Sequence, residues 1–218
     1  DVVVAGGVEN MTRGPWVMSK ASKAFGRDSS LYDSSFGWRF INPKLETVYG
    51  VDGMGVTAEN LVDKYSISRD DQDAFAFRSH MKATAARDSG RLAQEIIPVH
   101  IPRRKQDDLI FEHDEFIKPE TTVQILAKLR PAFRKEGGSV TAGNSSGLND
   151  GSAALLLANE SGLSSSGLTP LAQIISSAVV GVEPRIMGIG PVRASEIALK
   201  RAGISCRTFM GGIRIVIT

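Results

Sequence analysis

The amino-acid sequence predicts an α/β fold, on two observations. Two short apolar runs, Val2–Ala5 and Ala153–Ala158, have the composition of strands, although the second is also compatible with the start of a helix. Between them, Ala74–Ala85 carries apolar or small residues at helical spacing. The first run is β-branched and closed by Gly6–Gly7, which predicts a strand that is buried on both faces and ends in a turn.

The composition is typical of a soluble globular chain. Of the 218 residues, 42% are hydrophobic and 23% are charged, which excludes a disordered or fibrous protein. A net charge of +2 is too small to indicate a nucleic-acid partner, and no run of about 18 apolar residues predicts a membrane span. The single cysteine, Cys206, excludes an internal disulfide framework and a cysteine-based zinc cluster, and a reducing compartment is expected.

The first half of the chain combines an irregular stretch with two helical patterns. Residues 14–56 contain glycine, serine, aspartate and scattered aromatic residues without a period, which predicts a long ordered excursion packed by its own aromatic side chains. A helix can open at Thr57–Glu59, and a second one follows the N-cap Ser68 and stops near Gly90. Gln94–Ile101 then predicts an edge strand, because its proline cannot donate to a central ladder.

The second half alternates loops with short regular elements. Charged residues at Arg103–Asp108 indicate a hairpin or loop, and Thr122–Leu129 indicates a short helix that ends before a proline. The run Ala172–Val182 finishes in β-branched residues and predicts a strand. Pro191 suits the first turn of a last helix, which reaches Arg201 and has a glycine as its C-cap.

Two glycine-rich segments are the strongest local candidates for ligand contact. In Ala142–Gly147, small residues allow close approach to the backbone, and serine and asparagine side chains can bond neighbouring amides or a ligand. In Arg185–Pro191, glycines precede a helix N-terminus, which suits anions. Neither segment matches a dinucleotide or P-loop pattern, so a plain turn remains the alternative for both.

The histidines and the cysteine form no pattern that is typical of a catalytic or metal site. His80, His100 and His113 lie far apart, and none has a metal-binding spacing. Cys206 begins a terminal segment that does not continue the sequence pattern before it. Apart from the adjacent Arg207, no neighbour in the sequence indicates an activated thiol. On these residues alone, the sequence indicates an α/β domain without naming a reaction.

Five segments together resemble the thiolase family of coenzyme A acyltransferases. They follow the family's order over nearly all of residues 1–205. Residues 37–43, among others, resemble the degradative branch that cleaves 3-oxoadipyl-CoA. The segments are VVVAGGVENMTRGP (2–15), YGVDGMGVTAENL (49–61), SRDDQDAFAFRSH (68–80), AKLRPAFRKEGGSVTAGNSSGLNDGSAALLL (127–157) and VGVEPRIMGIGPVRAS (180–195).

The resemblance implies a thiolase-like layered α/β/α/β/α fold, incomplete here, with a large inserted α+β loop domain. It assigns residues 1–13 to a core strand of the N-terminal half, residues 14–148 to the loop domain, and residues 149–168 to the N-terminal half again. Residues 169–205 would begin the C-terminal half, and residues 206–218 form an anomalous tail. We therefore expect this chain to be a fragment of a thiolase.

The resemblance also predicts what the chain lacks. A thiolase cleaves a 3-oxoacyl-CoA with coenzyme A to acetyl-CoA and a shortened acyl-CoA. Members of the family use a nucleophilic cysteine, an asparagine in N-E-A-F, a histidine in G-H-P and a second cysteine in C-x-G-G-G-x-G. No histidine here precedes a proline, and Cys206 has neither flanking motif. We expect no catalytic residue on this chain and no turnover by it alone.

The residues that match the family's substrate positions predict a wall that binds coenzyme A esters. Ala142 and Gly143 would leave room for the pantetheine arm, and Ser146 would hydrogen-bond an amide of that arm. Lys118 would meet the nucleotide phosphates. The predicted set is Met54, Lys118, Ala132, Phe133, Ala142, Gly143, Ser146 and Met187.

The resemblance carries further expectations about ligands and partners. Coenzyme A is expected as a substrate, without a prosthetic group, a metal, a nucleic acid or a membrane as partner. The intact protein is expected to be a cytoplasmic homo-dimer or homo-tetramer. Arg39 or Arg185 is expected to pair with a distal carboxylate of the substrate. The alternative from another functional class is a non-catalytic fragment that binds coenzyme A esters or a thiolase subunit.

Overall fold

The computed structural model describes residues 1–205, and the terminal segment from Cys206 on lies outside the described residues. The strands are β1 (Val2–Glu9), β2 (Trp16–Met18), β3 (Leu31–Asp33), β4 (Val99–Ile101), β5 (Leu109–Phe111) and β6 (Gly151–Ala158). The α-helices are α1 (Pro43–Tyr49), α2 (Met54–Tyr65), α3 (Arg69–Asp88), α4 (Val123–Ala127), α5 (Glu160–Ser166) and α6 (Gly190–Ala202). Short 3-10 helices span Met11–Arg13, Leu92–Gln94 and Pro184–Ile189.

The chain divides into two compact units. The first comprises Asp1–Thr57 together with the described residues from Leu148 onward, and the second comprises Ala58–Gly147. Both units mix helices with antiparallel strand pairing, β1–β6 and β2–β3 in the first and β4–β5 in the second. Within residues 1–205, no helix is both long and apolar enough to cross a membrane. The domain boundaries expected from the resemblance stay predictions.

The first unit contains the antiparallel pair β1–β6. Val2 lies opposite Ala158, and Glu9 lies opposite Gly151. The apolar run 153–158 is therefore a strand and not the start of a helix. Eight paired positions make this the longest of the strand pairs in the described part of the chain.

Two expectations about β1 were wrong. The strand does not end in a turn at Gly6–Gly7 but continues to Glu9. Gly6 serves close approach instead, since a Cβ there would lie 2.5 Å from the carbonyl oxygen of Ala153. Nor are the strands buried: every residue of β1 and β6 is exposed, because a sheet face is buried only when another layer packs on it.

The other strand predictions were partly right. Ala172–Val182 has no regular secondary structure, because its β-branched residues pair with no strand among residues 1–205. The edge strand expected over Gln94–Ile101 is confined to β4: a 3-10 helix ends at Gln94, and residues 95–98 form no regular secondary structure. The loop predicted at Arg103–Asp108 is confirmed: it joins β4 to β5, with Val99 opposite Phe111.

Helix boundaries follow the capping residues. Ser68 caps α3 as predicted, since its Oγ accepts from the Asp71 backbone N–H at 3.0 Å. Gly203 ends α6 with φ +68°, also as predicted. Helix α2 begins at Met54, earlier than predicted, because the Thr57 N–H already closes a helical turn onto the carbonyl four residues before it, at 3.0 Å.

A carboxylate contact joins the segment after β1 to the segment before β6. Thr12 donates to the Asp150 carboxylate from its hydroxyl at 2.5 Å and from its backbone N–H at 3.0 Å. The hydroxyl bond first, and the backbone bond second, lower the pKa of the Asp150 carboxyl from its ordinary value. The contact thus favours the ionised form of Asp150.

Candidate functional site

Six of the eight predicted residues lie in the second unit, and five of these lie within residues 131–146, here called the platform. Its two arms run antiparallel. Pro131 bridges to Thr141, and the Ala132 N–H donates to the Val140 carbonyl at 2.9 Å. This pairing sets Ala132 beside Val140, and from the bridge the chain continues to Phe133 on one arm and to Ala142 and Gly143 on the other.

Helix α4 leads into the first arm and is held by an arginine. Thr122 caps α4, because its Oγ1 accepts from the Ile125 N–H at 3.2 Å. At the other end, Nη2 of Arg69 donates to the carbonyls of Leu126 and Leu129, at 2.7 and 3.1 Å. One guanidinium thus bonds two carbonyls at the end of the short helix, and it ties α4 to α3.

Gly143 in the second arm has no room for a side chain. A Cβ there would lie 2.5 Å from Cδ2 of Leu126 and 2.5 Å from Cδ1 of Leu129. Its backbone φ is not positive, so the glycine is required by close packing and not by conformation. Leu126 is only 3% exposed and forms the apolar core of this unit with Val140.

The second arm is a turn that is bonded to itself. Thr141, which is fully buried, accepts at Oγ1 from the N–H groups of Gly143 and Asn144, at 3.2 and 3.3 Å. The Thr141 N–H donates to Oδ1 of Asn144 at 2.8 Å, and the Ser145 hydroxyl donates to the Thr141 carbonyl at 2.6 Å. Residues 141–145 therefore form an ordered turn, and order of this kind preorganises a backbone for a ligand.

The outer surface of the platform carries several of the predicted side chains. Ala142 and Ser146 are exposed, and the Phe133 ring is 48% exposed. A methyl group, a hydroxyl and an aromatic face suit an extended ligand with amide groups and an apolar chain. These are the chemical features that the predicted wall requires.

Lys118 lies in the same unit with an exposed side chain. Its backbone N–H donates to Nδ1 of His80 in α3, at 3.3 Å. Sequence reasoning assigned His80 no role, because 38 residues separate it from Lys118 and no spacing rule joins them. The contact fixes the backbone that carries the ammonium group.

Met54 and Met187 belong to the first unit. Met54 begins α2 and is 75% exposed, and its carbonyl accepts from the Thr57 hydroxyl at 2.7 Å. Met187 lies in the 3-10 helix Pro184–Ile189 and is 46% exposed. Both thioethers are accessible to a ligand or to another apolar surface, and their assignment to substrate binding stays a prediction.

The two arginines expected to meet a substrate carboxylate bond to the chain itself. Nε of Arg185 contacts Oδ2 of Asp52 at 3.0 Å. Nη1 of Arg39 donates to the Gly37 carbonyl at 2.6 Å. The charge of Arg185 is therefore partly compensated in this structure, and its pairing with a substrate stays a prediction.

Two buried acids beneath the platform escaped the sequence reasoning. Glu59 in α2 is 0% exposed and Asp73 in α3 is 1% exposed. A charged residue in a helix normally indicates a solvated face, so burial is not expected from the sequence. The only local signal was the position of Asp73 four residues after Arg69, a spacing typical of an ion pair.

A family model described as "Thiolase, N-terminal domain" matches residues 1–161, most of the chain. The chain belongs to the thiolase family. The resemblance to the thiolase family is thereby confirmed, and four of the five sequence segments lie within the matched residues. Within residues 1–205, no group of three or more His, Cys, Asp or Glu residues is arranged to hold a metal ion.

Curated thiolases match almost the whole chain. The 3-oxoadipyl-CoA/3-oxo-5,6-dehydrosuberyl-CoA thiolase of Escherichia coli (strain K12) is 48% identical over 205 residues, which cover 94% of this chain and 51% of that protein. A beta-ketoadipyl-CoA thiolase of Pseudomonas aeruginosa is 49% identical over 209 residues, which cover 96% of this chain and 52% of that protein. The chain therefore spans about half the length of the curated relatives it matches.

Solved thiolase structures match the fold. Human mitochondrial 3-ketoacyl-CoA thiolase superposes with a TM-score of 0.82 at 38% identity, covering 94% of this chain and 51% of the human one. The acetyl-CoA acetyltransferase of Bacillus anthracis gives a TM-score of 0.78 at 40% identity, and the match covers 94% of this chain and 50% of that one. The predicted thiolase-like α/β fold, present in part, is confirmed.

Proposed function

We propose that this chain contributes the coenzyme A ester-binding wall of a thiolase. The whole protein would cleave a 3-oxoacyl-CoA with coenzyme A, giving acetyl-CoA and a shortened acyl-CoA. The observation that carries the proposal is the platform, whose two arms are joined by the bridge between Pro131 and Thr141 and by the 2.9 Å bond between Ala132 and Val140. One arm carries Ala132 and Phe133, and the other carries Ala142 and Gly143. These are the positions that the family resemblance assigned to the acyl-CoA.

Each platform residue has a definite part in this proposal. Ala142 presents only a methyl group at the surface, and the position of a Gly143 Cβ faces Leu126 and Leu129, so the pantetheine arm lies on the backbone beside Ala142. The exposed Ser146 hydroxyl hydrogen-bonds an amide of the arm. Phe133 contacts the chain near the thioester, and the ammonium group of Lys118 pairs with a phosphate of the nucleotide.

The substrate class that we propose is a 3-oxoacyl-CoA with a distal carboxylate. The support comes from names: relatives at 48–49% identity are a 3-oxoadipyl-CoA thiolase and a beta-ketoadipyl-CoA thiolase. The intact protein would act in the cytoplasm as a homo-dimer or homo-tetramer. Because the sequence contains no G-H-P motif and no C-x-G-G-G-x-G motif, this chain alone would bind coenzyme A without turning it over.

Calorimetric titration of the 218-residue chain with coenzyme A tests the proposal. We expect saturable binding, and no acetyl-CoA release when a 3-oxoacyl-CoA is added. Lys118→Ala should weaken coenzyme A binding about fivefold, the size of one partly exposed charge pair, and leave pantetheine binding unchanged. Lys82→Ala, which removes another exposed lysine of the same unit, is the matched control.

Two results would contradict the proposal. One is the absence of any heat or spectral change on addition of coenzyme A to folded chain. The other is an equal loss of affinity in the two lysine variants, which would mean that coenzyme A is attracted only by the general positive charge of the surface.

A further inference from the structure

The second unit buries two carboxylates that substrate binding, as proposed above, does not use. Glu59 and Asp73 are 0% and 1% exposed. Burying an ionised group is unfavourable unless it is paired and hydrogen-bonded. The partners of both acids therefore indicate what the burial achieves.

Glu59 reaches the start of the second platform arm. Its Oε1 accepts from the backbone N–H groups of Ser139 and Val140, both at 2.9 Å. Its Oε2 accepts from the Ser139 hydroxyl at 3.2 Å. One side chain of α2 thus holds two consecutive amides of the second arm, next to the bond from Ala132 to Val140, and these bonds involve a charged acceptor.

Asp73 supports the same arm further along the chain. It bonds to Asn144 directly and, through Asn144, to Thr141. Its Oδ2 accepts from Nε of Arg69 at 2.8 Å, and its Oδ1 accepts from Nδ2 of Asn144 at 3.0 Å. The other end of that amide, Oδ1 of Asn144, accepts from the Thr141 N–H at 2.8 Å. Asp73 therefore orients Asn144, and Asn144 orients the turn.

Both carboxylates bond to one short stretch, residues 139–144, and Asp73 pairs in addition with Arg69 of its own helix. Packing alone does not need them, because well-packed apolar residues in place of buried charges are often neutral or stabilising. What carboxylates supply and apolar residues do not is a fixed direction for each backbone N–H group. The stretch so directed contains Ala142 and Gly143.

We propose that Glu59 and Asp73 are positioning residues, which hold the backbone of residues 139–144 in the conformation that receives the pantetheine arm of an acyl-CoA. Neither touches the ligand. This inference rests on the function proposed above, since it assigns the arm of coenzyme A to the platform. It adds the residues of α2 and α3 that would set affinity for that arm.

The test separates the two halves of coenzyme A. The 218-residue chain and its variants are titrated with coenzyme A, with pantetheine, and with the nucleotide fragment 3′-phospho-ADP. Glu59→Gln is nearly isosteric, and its remaining oxygen can still accept from one or both amides. We expect about tenfold weaker binding of coenzyme A and pantetheine, since a bond to a charged acceptor is replaced, with unchanged binding of the nucleotide fragment.

Asp73→Asn should have the same selective effect, because it weakens the pair with Arg69 and the hold on Asn144. The matched control is Glu120→Gln, which removes an exposed carboxylate of the same unit outside the platform. Hydrogen exchange of each variant supplies a second readout. Amides of residues 139–144 should exchange faster in Glu59→Gln, and those of α3 should not change.

A milder variant covers the case in which Glu59→Gln does not fold. Ser139→Ala deletes only the hydroxyl bond to Glu59 and the bond from the Gln72 amide, and leaves both backbone bonds in place. It should weaken pantetheine binding less than Glu59→Gln and again spare the nucleotide fragment. If the variants that fold lose affinity for pantetheine but not for the nucleotide fragment, the result supports the positioning role of Glu59 and Asp73.

Other outcomes overturn the inference. If the unaltered chain binds coenzyme A and the variants bind all three ligands equally well, the positioning role is wrong while the proposed function stands. Equal loss for pantetheine and the nucleotide fragment also overturns it, because the acids would then maintain the fold in general. If the unaltered chain binds no coenzyme A, the proposed function fails, and the inference fails with it.

Discussion

The side chain of Asn144 is the most informative place to perturb the platform. It makes three hydrogen bonds: Oδ1 accepts from the Thr141 N–H at 2.8 Å, and Nδ2 donates to the Asp73 carboxylate at 3.0 Å and to the Ser139 carbonyl at 3.1 Å. Asn144→Ala removes all three and leaves the buried Thr141 N–H without its acceptor. We expect the second unit to lose stability and the turn to lose its order.

The size of the effect follows from the type of each bond. Two neutral bonds are worth about 0.5–1.5 kcal/mol each, and the bond to a carboxylate about 1.5–3 kcal/mol, which together amount to roughly 2.5–6 kcal/mol. Asn144 is only half-buried, so water can replace part of what is lost. We therefore expect Asn144→Ala to lower the free energy of unfolding by about 3 kcal/mol.

Urea denaturation followed by far-ultraviolet circular dichroism measures this change, because the second unit contains the long helix α3. The control is Asn149→Ala, which truncates an exposed asparagine nearby in the sequence. If the two variants unfold within about 0.5 kcal/mol of the parent chain, as ordinary surface substitutions do, the hydrogen bonds of Asn144 do not hold the turn. The reasoning about the platform would then be refuted.

Two further predictions concern single contacts. Gly143→Ala should lower the stability of the second unit by about 1–3 kcal/mol, the usual cost of overpacking, because the new Cβ would lie 2.5 Å from Cδ2 of Leu126. Thermal unfolding measures this change, and an unchanged midpoint temperature would contradict the close packing at Gly143. Thr12→Val should raise the pKa of Asp150 toward its ordinary value, since the hydroxyl bond is the first cause of its lowering, whereas Thr12→Ser should not. Because the pKa is depressed in the folded state, the contact stabilises the chain above the ordinary value of 3.8 and is lost as the pH falls through the folded value. Carboxyl carbon chemical shifts during an acid titration measure this, and equal pKa values in the two variants would contradict it.

Local chemistry explains why several elements were predictable. Ser68 before α3 and Gly203 after α6 each act within one turn of chain, so neighbours in sequence decide them. The hairpin loop between β4 and β5 follows in the same way from a charged stretch between apolar ones. Family membership also followed from sequence alone, since the order of the motifs along the chain does not depend on packing.

Burial was not predictable from apolar runs. The β-branched run Val2–Ala5 was expected to be buried on both faces, and it is part of a strand in which every residue is exposed. A run of valines specifies an extended backbone and apolar faces, whereas burial needs a second layer from elsewhere in the chain. For the same reason Ala172–Val182 has strand-like composition without forming a strand, because no strand pairs with it in the part of the chain that the structure describes.

The sequence by itself determined the family, the α/β class and the residue types at the platform, because these depend on composition, local capping and motif order. The tertiary structure alone decided which distant residues support that platform. Glu59 meets Ser139 across 80 residues, and Asp73 meets Asn144 across 71. No periodicity or spacing rule joins positions so far apart, since the contacts exist only once α2, α3 and the turn have packed.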